Sequence, residues 1–443
     1  MHLNSERSLF LSVTWGKVHR SMLTASSSPL FSPSLRQDAI VMGAVGLAHG
    51  LSHFGHLLLS PLFAFFVHDF GLSYTELGTL MTAFFVVSGI GQALAGFVVD
   101  RMGALPCLFA SLGLFTLAAC VAGLAQGYGS LLAVALLAGL ANASFHPVDF
   151  SILNHRVSPQ RLGYALSLHG LMGHLGWGAA GLFLVGIAHA THWRWAYAAT
   201  VVLFVMVTLL LWHLRQYLFF PIAPHPTTGS QAKPPLGWQG ALRIVLKQPA
   251  VLMCFGFFCL STMSLSVIQS FVSPILQATQ ELSLAAATQV ISSYMVLAAG
   301  GGLLGGWLIT RHAQISERIV AISLTGGGLM LLLCATGWLS TPYLITAVVI
   351  GGLSTGIAGP SRDMTIKRAA PPGATGRVYG LVYSGLDTGF ALSPMVFGPL
   401  MDAHQYSAVW AGSGCFLLLA VALVLGVEGQ AKVKLNPCHS NIK

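Results

Sequence analysis

Between residues 38 and 427 the sequence is built from twelve long apolar stretches separated by short polar breaks. They fall at about 38–67, 73–99, 104–125, 129–155, 162–189, 193–215, 248–278, 284–309, 317–338, 342–366, 376–401 and 407–427. Each matches or exceeds the roughly 20 residues that carry a helix across about 30 Å of hydrocarbon. Lipid offers no partner to backbone N–H and C=O groups, so stretches of this kind satisfy themselves as helices. The fold expected is therefore an all-α membrane protein with twelve transmembrane helices. Only 7% of the 443 residues are charged and 55% are hydrophobic, too little charge to cover a soluble domain of this size.

The formal charge of +9 does not point to nucleic acid. The basic residues recur singly or in pairs between apolar runs, with no clustered patch and no interleaved aromatics. With the N-terminus placed in the cytoplasm, 19 of the 21 Lys and Arg fall on the cytoplasmic side (21 − 2), leaving Arg194 outside and Arg362 within a span. This is the positive-inside bias, and it predicts a multi-pass protein of a bacterial-type inner membrane with both termini cytoplasmic. Residues 1–37 read as a Ser-rich cytoplasmic tail without an apolar core of signal-peptide length, and Met22 and Met42 offer alternative starts. Residues 219–247, with Pro221, Pro224, Pro226, Lys233, Pro234 and Pro235, read as a cytoplasmic linker. It separates an N-terminal six-helix bundle (38–218) from a C-terminal one (248–428), and 429–443 form a second tail. The seven cysteines show no CxxC pair and six lie in apolar spans, so they read as small apolar fillers.

The two bundles repeat one another. Leu72 to Arg101 aligns without a gap on Leu282 to Arg311, sharing Val86/Val296, Gly91/Gly301, Leu94/Leu304 and Gly96/Gly306. At a slightly different shift Ser60-Pro61 falls on Ser273-Pro274, Gly139 on Gly352 and Pro147 on Pro360. Duplicated membrane halves are the mark of a transporter whose site lies between them.

After the second stretch comes Gly96-Phe-Val-Val-Asp100-Arg101-Met-Gly103, which resembles the loop between helices two and three of the major facilitator superfamily. A weaker echo stands at Gly306 to Arg311, where Thr310 replaces the acid. The resemblance covers about residues 38–428. It implies two pseudo-symmetric six-helix bundles and a gating role for Gly96, Asp100, Arg101, Gly103 and, more weakly, Arg311. Ser52-His53, Leu58 to Pro61 and Phe145-His146-Pro147 are loosely similar to the fosmidomycin-resistance branch of drug exporters.

The resemblance also implies that the first, fourth, seventh and tenth helices line a central cavity. His49, His53 and His56 share one face of the first helix by i, i+4, i+7 spacing, and Asn142, His146 and Asp149 share one face of the fourth in the same way. His49 is about 16 Å along the helix from Asp38, and His146 about 15 Å from Arg156, so both lie near mid-bilayer. Histidine titrates near pH 6.5 in water and can take up or release a proton there. A neutral imidazole bonded between helices is the plainer alternative. Asp387 lies about 15 Å from Arg377, with Tyr379 and Tyr383 on nearly the same face, and is the first choice for a proton carrier in the second half. The alternative for Asp149 is a lock to Arg156 or Arg161, and for Asp387 a hydrogen bond between helices. Arg362 and Asp363 lie about 9 Å inside Arg368, and the planar fork of Arg362 suits a carboxylate or phosphonate. Pro61, Pro147, Pro274 and Pro360, at repeat-related positions, are expected to kink the four cavity helices. The glycines at 352, 356, 385 and 389, with 170, 173, 176, 178 and 181, are expected to allow close helix contact.

No GxxxxGK[ST] phosphate loop and no HExxH or similar compact ligand set occurs, so neither ATP-driven transport nor a zinc enzyme is indicated, and no cofactor or metal is assigned. The function expected is secondary active transport of a small organic solute by alternating access, with proton-coupled efflux leading. A proton-coupled importer of an organic anion and a transporter-like sensor stand as alternatives. The expected partners are the small-molecule substrate, protons and the lipid bilayer, and the chain is expected to be monomeric.

Overall fold

Each long apolar stretch forms helix, and the breaks between stretches coincide with capping residues or helix-ending glycines. The computed structural model describes the backbone of residues 34–221, 248–369 and 375–435, with side chains at all of these except 97, 313, 363–369, 375–381 and 428–435. Residues 1–33, 222–247 and 436–443, most of both expected tails and of the expected linker, lie outside the described residues, and helix extends into the expected tails at 35–37 and 429–435. In chain order the α-helices are α1 (Leu35–His56), α2 (Phe63–Phe70), α3 (Tyr74–Met102), α4 (Ala104–Gly123), α5 (Tyr128–Asn142), α6 (Phe145–Arg156), α7 (Leu162–Ala190) and α8 (Trp193–Leu218). The second half contains α9 (Pro249–Ser270), α10 (Val272–Gln280), α11 (Leu284–Arg311), α12 (Ser316–Ala335), α13 (Thr341–Ala369), α14 (Thr375–Asp402) and α15 (Tyr406–Leu435). Among the described residues, eleven spans are long and apolar enough to cross a bilayer. The twelfth crossing is α14, which has 28 residues but carries Asp387, Pro394, Pro399 and Asp402.

Three spans are interrupted, and proline explains where. Pro61 opens a short 3-10 turn between α1 and α2, Pro147 sits in the first turn of α6, and Pro274 in the first turn of α10. A first-turn N–H has no intrahelical acceptor, so proline fits there without losing a bond. The carbonyl of Leu58, at the first break, receives the hydroxyl of Tyr197 from α8 at 2.7 Å. Pro360 differs from the expectation, because α13 runs through it without interruption. Packed membrane helices tolerate an internal proline where neighbours replace the single lost bond.

Equivalent helices pack in equivalent ways in the two halves. α1 meets α7 as α9 meets α14, α3 meets α5 as α11 meets α13, and α4 meets α8 as α12 meets α15. The repeat reaches single contacts: Gly139 lies on the carbonyl of Phe84, and its repeat mate Gly352 lies on the carbonyl of Tyr294, the mate of Phe84. A Cβ at either glycine would overlap backbone, so only glycine permits this approach.

The halves meet along α3 with α14 and α7 with α11. At the end of the bundle away from Arg101 and Arg161, the Asp402 carboxylate at the end of α14 caps the start of α3. It accepts from the backbone N–H of Tyr74 (2.7 Å) and Thr75 (2.9 Å) and from the Thr75 hydroxyl. Moving inward, Thr82 donates to the carbonyl of Ala391, Phe85 stacks on Phe390 at 4.4 Å, and Ser292 donates to the carbonyl of Gly178. Gln92 and Asp387 form the innermost described hydrogen bond between the halves.

Candidate functional site

The last turns of α1, before the break, carry His49, His53 and His56 on one side, and their rings follow one another at 4.4 and 4.8 Å between centroids. α5 and α6 present Asn142, His146 and Asp149 to that row. α7 adds His169, His174 and Trp177 because Gly173 and Gly176 let it lie directly on α1. The result is a group of imidazoles around one carboxylate, inside the N-terminal half.

Hydrogen bonds decide what each ring can do. Asp149 Oδ2 lies 3.0 Å from Nδ1 of His49 and 3.1 Å from Nε2 of His169, and the two rings stack at 3.4 Å between centroids. A carboxylate oxygen accepts, so both nitrogens carry their protons. The other oxygen, Asp149 Oδ1, is buried with no hydrogen-bond partner. His56 is fully engaged: its Nδ1 accepts from the Trp177 indole at 3.3 Å, so its Nε2–H donates to Asn142 Oδ1 at 2.8 Å. Asn142 in turn donates to Ser88 at 2.8 Å. His53 stacks beside Trp177 at 4.2 Å, and its Nδ1 is buried without a partner.

A polar bridge runs from this group to the other half. Gln92 Nε2 donates to Asp387 Oδ2 at 3.2 Å, which turns its Oε1 toward Nδ1 of His146 at 2.9 Å, so the imidazole is the donor. Gly89 lies against the Asp387 side chain, where a Cβ would be 3.0 Å from that of Asp387. Tyr383, half-buried on α14, lies 6.5 Å from His146 and 5.4 Å from Phe258, centroid to centroid. Arg362 is half-buried with its guanidinium 4.6 Å above the Phe258 ring. The side chain of Asp363 lies outside the described residues.

One alternative drawn from the sequence fails here and another is present. Asp149 is not locked to Arg156 or Arg161: Arg156 donates to the carbonyl of Tyr217, and Arg161 pairs with Asp38, so the basic end of the bundle closes on a different acid. Asp387 does form a hydrogen bond between helices, and that bond also joins the two halves. Gln92, His169 and Trp177 were not singled out from the sequence. His169 and Trp177 fall in the glycine-rich stretch of α7, where the small residues that bring them to α1 were the visible signal. Gln92 gave no signal, being an uncharged side chain in a helix that also carries Thr79, Thr82 and Ser88.

At the loop between α3 and α4, Gly103 has φ +89° and turns the chain directly from one helix into the next. Gly96 is half-exposed with open space around it, and Asp100 and Arg101 are exposed with no hydrogen bond or ion pair among the described residues. Arg311, exposed at the end of α11, lies over Trp307 at 4.4 Å. Among the described residues two sets of possible metal ligands converge within 4.8 Å: His49, His53 and His146, and His49, Asp149 and His169. Both draw on more than one helix, which is why no linear motif marked them.

Comparison with known proteins agrees with this architecture. The sequence profile of the Major Facilitator Superfamily matches residues 45–332 and 259–437. A hexuronate transporter of Bacillus subtilis is 23% identical over 397 residues, covering 86% of this chain and 92% of its own. A probable nitrate/nitrite transporter of Mycobacterium tuberculosis is 24% identical over 398 residues, covering 83% and 89%. The fosmidomycin resistance protein of Escherichia coli is 25% identical over 187 residues, 40% of this chain and 44% of its own. Among solved structures, a bacterial homologue of the human lysosomal transporter Spinster superposes with a TM-score of 0.66 at 16% identity, covering 94% of this chain and all of its own. The nucleoside transporter NupG superposes with a TM-score of 0.68 at 15% identity, covering 87% and 99%. With its repeated halves, its polar group buried near their junction and this profile match, the chain belongs to the major facilitator superfamily of membrane transporters.

Proposed function

We propose that the protein is a proton-coupled secondary transporter that exports a small organic solute by alternating access between its two halves. The observation that carries this reading is Asp387. It is a half-buried carboxylate near the middle of a membrane helix, and its described partner is an amide of the other half, not a cation. A charge at that depth is costly, so the group exchanges a proton as water reaches it from one side and then the other. Its bond to Gln92 crosses the line along which the halves rock, so the proton state of Asp387 and the relative position of the halves bias each other. The histidine wall with Asn142, His146 and Asp149 faces it and, with Tyr383, forms the polar lining for cargo.

Orientation follows the basic residues: the end with Arg101, Arg156, Arg161 and Arg311 is cytoplasmic, as are both termini, in a bacterial-type inner membrane. The Asp402 cap then closes the outer side, and cargo enters from the cytoplasm. Asp100 and Arg101, turned by Gly103, and Arg311 act as the cytoplasmic gate when the halves close there, and the helix restarts at Pro61, Pro147 and Pro274 act as joints. Similarity to the fosmidomycin resistance protein supports export. The working unit is a monomer.

One observation favours a second reading, import of an organic anion with protons. Arg362 is half-buried over Phe258, with a planar fork suited to a carboxylate, and the hexuronate and nitrate/nitrite transporters match most of this chain.

Proteoliposomes with a trapped pH dye, challenged with organic anions and hydrophobic drugs, test both. Cargo-dependent alkalinisation or acidification is expected, its sign separating exchange from symport. Asp387→Asn is expected to lose gradient-driven accumulation, more than tenfold, while keeping equilibrium exchange of cargo. Uphill transport by Asp387→Asn at the wild-type rate would remove Asp387 as the carrier. Unchanged affinity of Arg362→Ala for every anionic cargo would remove the second reading.

A further inference from the structure

The geometry points to a binding site for one divalent transition-metal ion of the zinc class, formed by ring nitrogens of His49, His53 and His146 in the wall of the N-terminal half. The ligand atoms follow from the hydrogen bonds around them. Asp149 accepts a hydrogen bond from the Nδ1–H of His49, so Nε2 of the neutral ring carries a lone pair. Gln92, its amide oriented by Asp387, accepts a hydrogen bond from the Nδ1–H of His146, so that Nε2 carries a lone pair as well. His53 contributes Nδ1, a buried nitrogen with no hydrogen-bond partner. One nitrogen from each ring lies within 4.8 Å of one from each of the other two, and no hydrogen bond joins the three rings to one another among the described residues. A buried ring nitrogen left without a partner, as at His53, is costly, and a bound metal ion would satisfy it.

Each structural feature suits a metal. His49 and His53 are four residues apart on one helix, the spacing that lets two imidazoles of one face grip a single ion. Asp149 behind His49, and Gln92 behind His146, are the outer partners that hold metal-binding histidines in one tautomer and orientation. Trp177 packs against His53 and limits its rotation. Nitrogens around tetrahedral zinc stand about 3.3 Å apart for Zn–N bonds near 2.0 Å, so the three rings draw in by up to about 1.5 Å when the ion binds. An all-imidazole set selects zinc, cobalt, nickel or copper over calcium or magnesium, which prefer oxygen. His146 is half-buried, so the fourth position opens toward the space between the halves and is left for water or a ligand. The other possible set, His49 with Asp149 and His169, is already closed by its own hydrogen bonds.

Binding is tested without transport, so its outcome is independent of the proton-coupling reading. Tag-free, full-length protein in nanodiscs is equilibrated with Co²⁺, then with Zn²⁺ as competitor. One Co²⁺ per chain is expected, with the intense visible bands of a four- or five-coordinate site, displaced by Zn²⁺. His53→Ala and His146→Ala are each expected to lower affinity at least a hundredfold, and Asp149→Asn ten- to a hundredfold. His404→Ala, an exposed histidine elsewhere, is expected to bind like wild type. The wild-type spectrum needs no variant: absence of bound Co²⁺ at micromolar free ion, or only the weak bands of a six-coordinate ion, overturns the proposal. So does unchanged binding by the His53→Ala, His146→Ala double variant.

Discussion

Asp38 shows how a single residue reads differently in sequence and in space. In the sequence it marks the start of the first apolar run. In the structure it is fully buried, accepts the Ser158 hydroxyl at 2.6 Å and pairs with the Arg161 guanidinium. Removing one partner of a buried pair leaves the other without compensation, though the Arg161 side chain is 31% exposed and keeps part of its hydration. Asp38→Ala is therefore expected to destabilise the protein by about 1–3 kcal/mol, read as a lower thermal or denaturant midpoint. An unchanged midpoint would mean that this pair contributes nothing net. The same limit applies to Asp149. Its depth and helical face were legible from spacing, but its partners were not, because spacing along one helix says nothing about which helix lies opposite.

At the scale of helices, the repeat makes a sharper prediction than any motif. Gly352 and Gly139 hold the same contact in the two halves, each against the backbone of the second helix of its half. Gly352→Leu must push α13 from α11, and overpacking of this kind costs about 1–3 kcal/mol or more. A melting temperature equal to wild type in detergent would show that these helices can separate freely. The helix boundaries themselves were close to legible, since an apolar run ends where polar or glycine residues begin. The interruptions at residues 57–62, 143–144 and 271 were legible only as prolines, and the continuity of α13 through Pro360 was not legible at all. A proline's effect depends on whether it falls in the first turn of a new helix or is supported by neighbours, which is a tertiary fact.

For the whole molecule, the Asp402 cap ties the halves at one end through two backbone N–H groups and a hydroxyl. Hydrogen bonds to a charged group contribute about 1.5–3 kcal/mol, enough to shift a two-state opening roughly tenfold. In a cysteine-free background, Asp402→Ala is expected to raise the rate at which Ala391→Cys reacts with a membrane-impermeant thiol reagent added from the side of the Asp402 cap. Labelling at the rate seen with Asp402 intact would show that other contacts keep that end shut. No residue pattern hints at this cap. Asp402 looks like an ordinary loop acid, and its partners are 327 and 328 residues away in the chain.

The solvent, the helices and the duplication are all readable along the chain, because lipid forces long apolar runs into helices and a repeated pattern folds in a repeated way. So are the polar residues that stand deep in those helices, since charge in an apolar run needs no fold to be visible. Tertiary structure alone decided what those residues do to one another: that Asp149 holds His49 and His169, that Gln92 joins His146 to Asp387, and that Arg161 closes on Asp38. Hydrogen bonds need partners within about 3 Å with aligned donors and acceptors. That depends on which helices face each other and at what rotation, and a periodicity read along one chain does not contain it.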